Sequence, residues 1–187
     1  MAEIFLDVET QRLSHEVPGG WDNVRAFGLA LAVTWDDAAE FRVWLESDAQ
    51  ALADELERFS LIVGYNIIRF DYTVLSAYAP SLPGLLAPKT TDMLVDLHRR
   101  LGFRLPLAGV AQATLGRSKA GDGTDAVRWF RAGEIDKVAA YCREDVAITR
   151  DLFNYGRQNG RVLYLNHGRP ASVIVRWSKN ATGSGVD

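Results

Sequence analysis

The hydrophobic pattern of this 187-residue chain switches between short apolar or alternating runs and longer segments with helical spacing. The short runs predict strands over residues 4–10, 27–35, 40–45, 61–65 and 89–92, with the second and third paired as an antiparallel hairpin. The helical spacing predicts helices over residues 48–59, 70–78, 93–101, 105–115, 125–131 and 134–155. This order of elements predicts an α/β fold in which helices flank a mixed sheet.

Two segments between these elements lack a regular pattern. Residues 11–23 are polar, contain Pro18, Gly19 and Gly20, and are expected to form an irregular loop directly after the first strand. Loops of this length in compact domains are usually functional or mobile, so this one is expected to border any site at the end of that strand. Residues 117–124 combine basic residues with glycine and predict a flexible basic loop.

The C-terminal part of the chain predicts a β-hairpin. Gly156 and Gly160 are expected to end the last helix, because glycine favours helix termination. Residues 162–166 and 171–177 surround a turn-forming His-Gly-Arg-Pro sequence, which predicts two antiparallel strands. Residues 178–187 have little apolar content and are expected to be a disordered tail.

Composition limits the class of protein. Apolar residues make up 48% of the chain, enough to bury one core, so residues 1–177 are expected to form a single domain. No apolar run of about 18 residues indicates a membrane helix, and the first strand begins without a signal peptide. The single cysteine, Cys142, excludes an intramolecular disulfide framework and a multi-cysteine zinc site, and is expected to pack inside a helix. These features predict a cytoplasmic protein.

The net charge of −3 hides an uneven distribution. Residues 36–57 contain eight acidic residues and one basic residue, whereas residues 97–131 contain seven basic and two acidic residues. The basic segment is consistent with a polyanionic partner such as nucleic acid. Solvated helix faces explain the same pattern, so charge alone leaves both interpretations open.

Two carboxylates end the first predicted strand. Asp7 and Glu9 are two residues apart, so their side chains point to the same face, roughly 7 Å apart along the strand. If they are buried, they need a cation, either a basic side chain or a hard metal ion with oxygen ligands. If the strand ends at the surface, solvent satisfies them, and the pair alone does not distinguish these cases.

Two further acids stand in predicted helices. Asp71 is expected in the first turn of a helix after a buried strand, at a sheet edge where α/β folds build sites, although the helix dipole also favours an acid there. Tyr141 and Asp145 are spaced i, i+4 and share a helix face, which is either part of a site or solvent-exposed. Asn66 and Phe70 are either site residues or, respectively, a turn residue and a core residue.

Taken in order, these three motifs resemble those of the DEDD (DnaQ-like) superfamily of 3′→5′ exonucleases, which has a ribonuclease-H-like fold. The resemblance covers residues 5–153. It is to the Tyr subclass, because Tyr141 is present whereas Ala140 occupies the position of the histidine of the other subclass. The matching residues are Asp7 and Glu9 in the first motif, Asn66, Phe70 and Asp71 in the second, and Tyr141 and Asp145 in the third.

Within that superfamily the chain is most similar to bacterial YprB-type exonuclease domains, some free-standing and some attached to helicases. Residues 115–119, 125–127 and 141–153 carry this closer similarity. The resemblance implies a nucleic-acid substrate, DNA or RNA. It also makes a helicase or another DNA- or RNA-processing protein a candidate partner.

The resemblance implies hydrolysis of phosphodiester bonds at a 3′ end with two divalent cations, Mg²⁺ or Mn²⁺, as cofactors. On this pattern Asp7 bridges the two metals, and Asp71 holds the second metal, partly through water. Glu9 and Asp145 complete the site of the attacking water. Tyr141 orients that water, since a phenol with an ordinary pKa of about 10 stays protonated and favours positioning over general-base catalysis.

Substrate contacts are expected from Asn66 and Phe70 at the terminal nucleotide and from Arg117 and Lys119 at phosphates. Among the three histidines, only His15 is placed to approach the metals. Two alternatives remain open. One is a non-catalytic module of the same fold that binds nucleic acid or a partner protein, and the other is a metal-dependent phosphohydrolase acting on free nucleotides.

Overall fold

A computed structural model describes residues 2–117 and 123–177. Over these ranges the chain forms a five-stranded mixed sheet flanked by helices, and a separate two-stranded antiparallel hairpin near the C-terminal end. The predicted α/β class, mixed sheet and hairpin are therefore confirmed. The predicted tail, 178–187, and residues 118–122 of the predicted basic loop lie outside the described residues.

The strands of the sheet are β1 (Glu3–Thr10), β2 (Leu29–Asp36), β3 (Glu40–Leu45), β4 (Leu61–Gly64) and β5 (Thr90–Asp92). Their spatial order is β3-β2-β1-β4-β5, with β1 at the centre. β1 is antiparallel to β2 and parallel to β4. At the edges of the sheet, β3 is antiparallel to β2 and β5 is parallel to β4. β2 begins later than predicted because Phe27 belongs to a 3-10 helix and Gly28 has a left-handed φ of 73°.

The α-helices of the described ranges are α1 (Ala49–Glu57), α2 (Asp71–Leu75), α3 (Leu82–Leu86), α4 (Met93–Leu101), α5 (Leu107–Leu115), α6 (Gly123–Arg131) and α7 (Ile135–Asn159). All except α3 correspond to predicted helices, although α2 is shorter than its pattern indicates. The pattern does not predict α3, because Pro83 and Gly84 interrupt it. Proline is nevertheless tolerated in the first turn of a helix. Among the described helices, none combines the length and apolar character needed to cross a membrane.

The segment between β1 and β2, residues 11–28, corrects the prediction of an irregular loop. It contains two 3-10 helices, Ser14–Glu16 and Gly20–Phe27. Three of its apolar side chains are buried in the core that also contains side chains of α1, α2 and α3: Val17, Val24 and Phe27. This β1–β2 segment is therefore anchored to the body of the domain.

α7 continues past Gly156, which corrects the predicted end of this helix. A Cβ at Gly156 would lie 2.4 Å from Cε3 of Trp177, so glycine is required there by close packing. The helix ends at Gly160, which adopts a left-handed φ of 67°.

The C-terminal hairpin consists of β6 (Arg161–Asn166) and β7 (Arg169–Ile174). It packs on α5 and α7 and forms a sheet of its own. Just beyond β7, Trp177 stacks on Phe153 of α7 with ring centroids 5.9 Å apart, and its Nε1 donates to Asp96 of α4 at 2.9 Å. The hairpin therefore closes the core on the α7 side of the sheet.

Side-chain alternation along β1 divides the core in two. The apolar even-numbered residues of β1 face a core shared with α1, α2 and α3, whereas Phe5 faces the core beneath α7. Asp7 and Glu9 continue the face of Phe5. The two acids therefore lie on the side of the sheet that α7 covers.

Candidate active site

A pocket of about 490 Å³ opens at the carboxyl end of β1. The five side chains predicted to be catalytic all line it: Asp7, Glu9, Asp71, Tyr141 and Asp145. Four of these residues are buried, and Asp7 is half-buried. This burial excludes the interpretation of the acids as freely solvated surface charges.

The position of the first two acids follows from the lengths of neighbouring strands. β4 pairs with β1 only along residues 3–5. Asp7 and Glu9 therefore lie where β1 borders the loop that follows β4. Asp71, at the end of that loop, accepts a hydrogen bond at Oδ1 from the backbone N–H of Val8, 3.0 Å away. This bond ties the second motif directly to the first.

A further carboxylate, Asp92, holds the loop that leads to Asp71. Asp92 is buried at the end of β5 and accepts backbone N–H bonds from Asn66 at 2.9 Å, Ile68 at 3.1 Å and Val95 at 3.2 Å. The first two bonds fix the loop, in which Asn66 has a left-handed φ of 66°. The third caps α4. Asp92 therefore positions Asp71 by holding this loop, although Asp92 does not line the pocket itself.

The electrostatics of the pocket are dominated by clustered carboxylates. Burial raises the pKa of Asp71 well above its ordinary value, and the negative charge of Asp7 raises it further. The hydrogen bond from Val8 acts in the opposite direction without reversing the shift. The pocket thus gathers charges that repel one another unless a cation lies between them.

α7 supplies Tyr141 and Asp145 one turn apart, with Cys142 beside them. Cys142 is buried in the core as predicted, and its thiol also donates to the carbonyl oxygen of Asp7 at 3.3 Å and to Oδ2 at 3.4 Å. Burial is the main cause that raises the pKa of this thiol, and the charges of Asp7, Glu9 and Asp145 raise it further. The thiol therefore stays neutral beside the acids.

Trp129 of α6 supports Tyr141. The two rings meet in a T-shaped arrangement with centroids 6.0 Å apart. Because α6 also supplies Gly123 and Thr124 to the pocket lining, this helix forms one wall of the site. The contact with Trp129 holds the Tyr141 ring at that wall.

The donor atoms of the pocket fit hard divalent cations. One carboxylate oxygen of Asp7, one of Glu9 and Sγ of Cys142 all lie within 4.8 Å of one another. Mg²⁺ and Mn²⁺ prefer oxygen ligands, whereas thiolates select softer metals. With Asp71 and Asp145 in the same pocket, carboxylate oxygens make up most of the donor set, which suits Mg²⁺ or Mn²⁺.

The residues predicted to contact nucleic acid are not all in the pocket. Phe70 lines it. Asn66 lies outside the lining, where its Oδ1 accepts from Arg104 at 2.9 Å. Arg117 also lies outside and pairs with Asp151 at 2.6 Å, and Lys119 is outside the described residues.

The pocket contains residues that sequence reasoning did not assign to the site. Arg12, Trp21 and Phe27 of the β1–β2 segment line it, together with His15, which was expected nearby. The available signals were weak: Arg12 follows the first motif by three positions, and Trp21 is a lone tryptophan in a polar stretch. Asp92 carried no signal, because its partners depend on the tertiary fold.

Comparisons with known proteins agree with this fold. A model of the RNase_H_2 family, described as RNase H superfamily, matches residues 4–156. Among solved structures, the family B DNA polymerase from the hyperthermophilic archaeon Pyrobaculum calidifontis matches with a TM-score of 0.61 and 16% sequence identity, covering 83% of this chain and 24% of that chain. At this identity the likeness concerns the fold alone, and this chain spans only a minor part of that polymerase. No curated protein matches. The predicted ribonuclease-H-like fold is confirmed.

Proposed function

The chain belongs to the RNase H superfamily, and from this premise we propose that it is a metal-dependent 3′→5′ exonuclease of the DEDD Tyr subclass. It hydrolyses the terminal phosphodiester bond of a nucleic-acid strand and releases nucleoside monophosphates. The observation that carries this proposal is that the four acids and the tyrosine of the three sequence motifs line one pocket at the carboxyl end of the central strand.

The four acids would hold two divalent cations, Mg²⁺ or Mn²⁺. Such ions activate water as a nucleophile and stabilise the charge on the attacking and leaving oxygens. Asp7 is central in this arrangement, because one of its carboxylate oxygens lies within 4.8 Å of one of Glu9 and its charge also acts on Asp71. The buried Asp71 and Asp145 complete the donor set from α2 and α7.

Tyr141 orients the attacking water. It lies one helical turn from Asp145 on the same face of α7, so both side chains reach the same part of the pocket. Its ring is held by Trp129, which leaves the hydroxyl group as the polar end of a fixed side chain. A phenol can donate to water without competing with the acids for a cation.

The strand end enters between the acids and the β1–β2 segment. Phe70 contacts the terminal nucleotide. The guanidinium of Arg12, one nitrogen of which donates to the carbonyl oxygen of Ala26 at 2.9 Å, binds a phosphate beside it with its remaining N–H groups. Asn66 supports Phe70, since its backbone carbonyl oxygen accepts from the backbone N–H of Phe70 at 3.0 Å.

Arg117 and Lys119 contact phosphates further along the strand. Such contacts position a strand without reading its sequence. The similarity to YprB-type domains makes a helicase the partner to test.

A substrate panel tests the proposed reaction. Single-stranded and duplex DNA and RNA, each labelled at the 5′ end, are incubated with the protein and Mn²⁺. We expect a ladder of products shortened from the 3′ end, with nucleoside monophosphate as the released product, and no reaction with a chelator. Internal cuts, or hydrolysis of free nucleotides without shortening of any strand, would contradict the proposal.

A further inference from the structure

Trp21 is a large aromatic side chain left exposed at the edge of the candidate site. It is 62% exposed, the second highest value among the large hydrophobic residues described as exposed. An isolated exposed apolar residue needs no explanation. Trp21 is different, because it lines the same pocket as Asp7, Glu9 and Asp71.

The exposure of Trp21 does not come from a loosely attached loop. The 3-10 helix that carries it, Gly20–Phe27, is anchored by the buried side chains of Val24 and Phe27. At the other end of the segment, Glu16 forms an ion pair with Arg131 of α6 at 2.5 Å. The segment therefore presents a tryptophan to solvent from a fixed position.

The rings around Trp21 hold it without covering it. Its centroid lies 5.6 Å from that of Phe27 and 6.2 Å from that of Phe70, with interplanar angles of 61° and 48°. Phe27 and Phe70 also contact each other, with centroids 6.3 Å apart. Neither ring is stacked in parallel on the indole. The side chains of Trp21, Phe27 and Phe70 line the pocket together and form an aromatic wall beside the acids.

We propose that Trp21 is a stacking platform for an unpaired base next to the scissile bond. This inference rests on the proposed function and specifies its substrate as a strand end whose bases are not paired. Bases inside a duplex have both faces covered by their neighbours, whereas an unpaired base leaves a face free for the indole. Base–aromatic stacking is strong and tolerant of sequence, which suits an enzyme that removes successive nucleotides.

The inference is tested by removing the base and the indole separately. Two 5′-fluorescein-labelled single-stranded DNA oligonucleotides are used, identical except that the 3′-terminal residues of one carry no bases. Binding is measured by anisotropy with Ca²⁺ in place of Mn²⁺, and nucleotide release is measured in parallel with Mn²⁺. The variants are Trp21→Ala and Trp21→Phe, with Phe103→Ala as control, because Phe103 is also an exposed aromatic residue but does not line the pocket.

We expect the wild type and Phe103→Ala to bind the intact end more tightly than the abasic end by roughly 5- to 150-fold, as stacking of one or more bases provides. Trp21→Ala should bind both ends with the affinity of the wild type for the abasic end, and Trp21→Phe should retain part of the preference. Three results would overturn the inference. Trp21→Ala could lose the same factor of affinity for both oligonucleotides, or it could keep the wild-type preference for the intact end. The third is that the wild type binds neither oligonucleotide.

The two proposals fail differently. If binding depends on Trp21 and on the base but no nucleotide is released with Mn²⁺, the platform stands and the exonuclease proposal fails. If nucleotides are released and Trp21→Ala keeps the preference for the intact end, the exonuclease proposal stands and the platform fails.

Discussion

Tyr141 is the neutral residue among the five predicted catalytic side chains. The four acids around it are proposed to hold cations, whereas its hydroxyl can act only by positioning a polar atom. Its ring is packed on Trp129 and would keep that contact without the hydroxyl. The substitution of tyrosine by phenylalanine therefore removes the hydroxyl group and keeps the ring that contacts Trp129.

For Tyr141→Phe we expect the single-turnover rate to fall about 10- to 150-fold. This corresponds to the loss of one hydrogen bond of about 1.5–3 kcal/mol to a charged or polarised water. The affinity for Mn²⁺ should stay at the wild-type value. Rapid-quench measurement of nucleotide release and calorimetric titration of Mn²⁺ separate the two quantities. A parallel loss of rate and of Mn²⁺ affinity would show that Tyr141 is structural.

Asp92 acts on the site through Asp71 without lining the pocket. Asp92→Ala leaves three backbone N–H groups without their acceptor, which we expect to lower the free energy of unfolding by about 3 kcal/mol. The loop that carries Asp71 should also lose its fixed position, so nucleotide release should fall. Urea unfolding measures the first effect, with Asp54→Ala on the exposed face of α1 as control. If Asp92→Ala and Asp54→Ala had the same free energy of unfolding, Asp92 would not be the residue that holds this loop.

Residue-level prediction succeeded where one local rule decides the outcome. Strand alternation alone placed Asp7 and Glu9 on one face. Asp145 was ambiguous in sequence, because a mid-helix aspartate is equally compatible with solvent, and only the packing of α7 over β1 shows that it is buried. The role of Asp92 depends on the pairing of β5 with β4, which no local pattern contains.

At the level of elements, α7 packs against Trp177, just beyond the C-terminal hairpin, so closely that Gly156 has no room for a side chain. Gly156→Ala places a methyl group against the indole of Trp177 and should lower the free energy of unfolding by about 1–3 kcal/mol, as overpacking does. The matched control is Gly84→Ala in α3, where a Cβ meets nothing within 4 Å. That variant should gain about 0.5–1 kcal/mol from helix propensity. Chemical unfolding measures the change in the free energy of unfolding for each variant. A Gly156→Ala variant more stable than the wild type would contradict this account of the packing.

Elements with a strong period could be predicted, and those without one could not. The strands of the sheet, α4 and α7 follow apolar patterns that local sequence sets. The β1–β2 segment was misread because 3-10 turns lack the 3.6-residue period and because Pro18 and Gly19 indicate a loop. Gly156 was misread because the residue that requires it, Trp177, is contributed by a later part of the chain.

For the molecule as a whole, several arginines of the basic segment, residues 97–131, form ion pairs. Four arginines from residues 97–131 are paired: Arg100 with Asp96, Arg117 with Asp151, Arg128 with Asp125, and Arg131 with Glu16. The bond from Arg131 lowers the pKa of Glu16 to about 2. Exposed pairs of this kind are weak, so a polyanion can compete for these arginines. The basic segment is therefore consistent with a nucleic-acid partner, although these four arginines are not bare positive charges.

The central claim for the whole molecule is that the acids of the pocket hold cations that hydrolyse a strand end. It is tested most directly by Mn²⁺-dependent release of nucleoside monophosphates from a single strand by the wild type, Asp7→Asn, Asp145→Asn and Asp54→Asn. Asp54 is an exposed acid that hydrogen-bonds Gln50 on α1 and does not line the pocket. Circular dichroism and thermal unfolding establish that each variant is folded.

We expect Asp54→Asn to match the wild type and each of the two pocket variants to lose activity by roughly a thousand-fold or more while remaining folded, since several kcal/mol of metal-assisted stabilisation is removed. Release of nucleotides at the wild-type rate by both Asp7→Asn and Asp145→Asn would contradict the account.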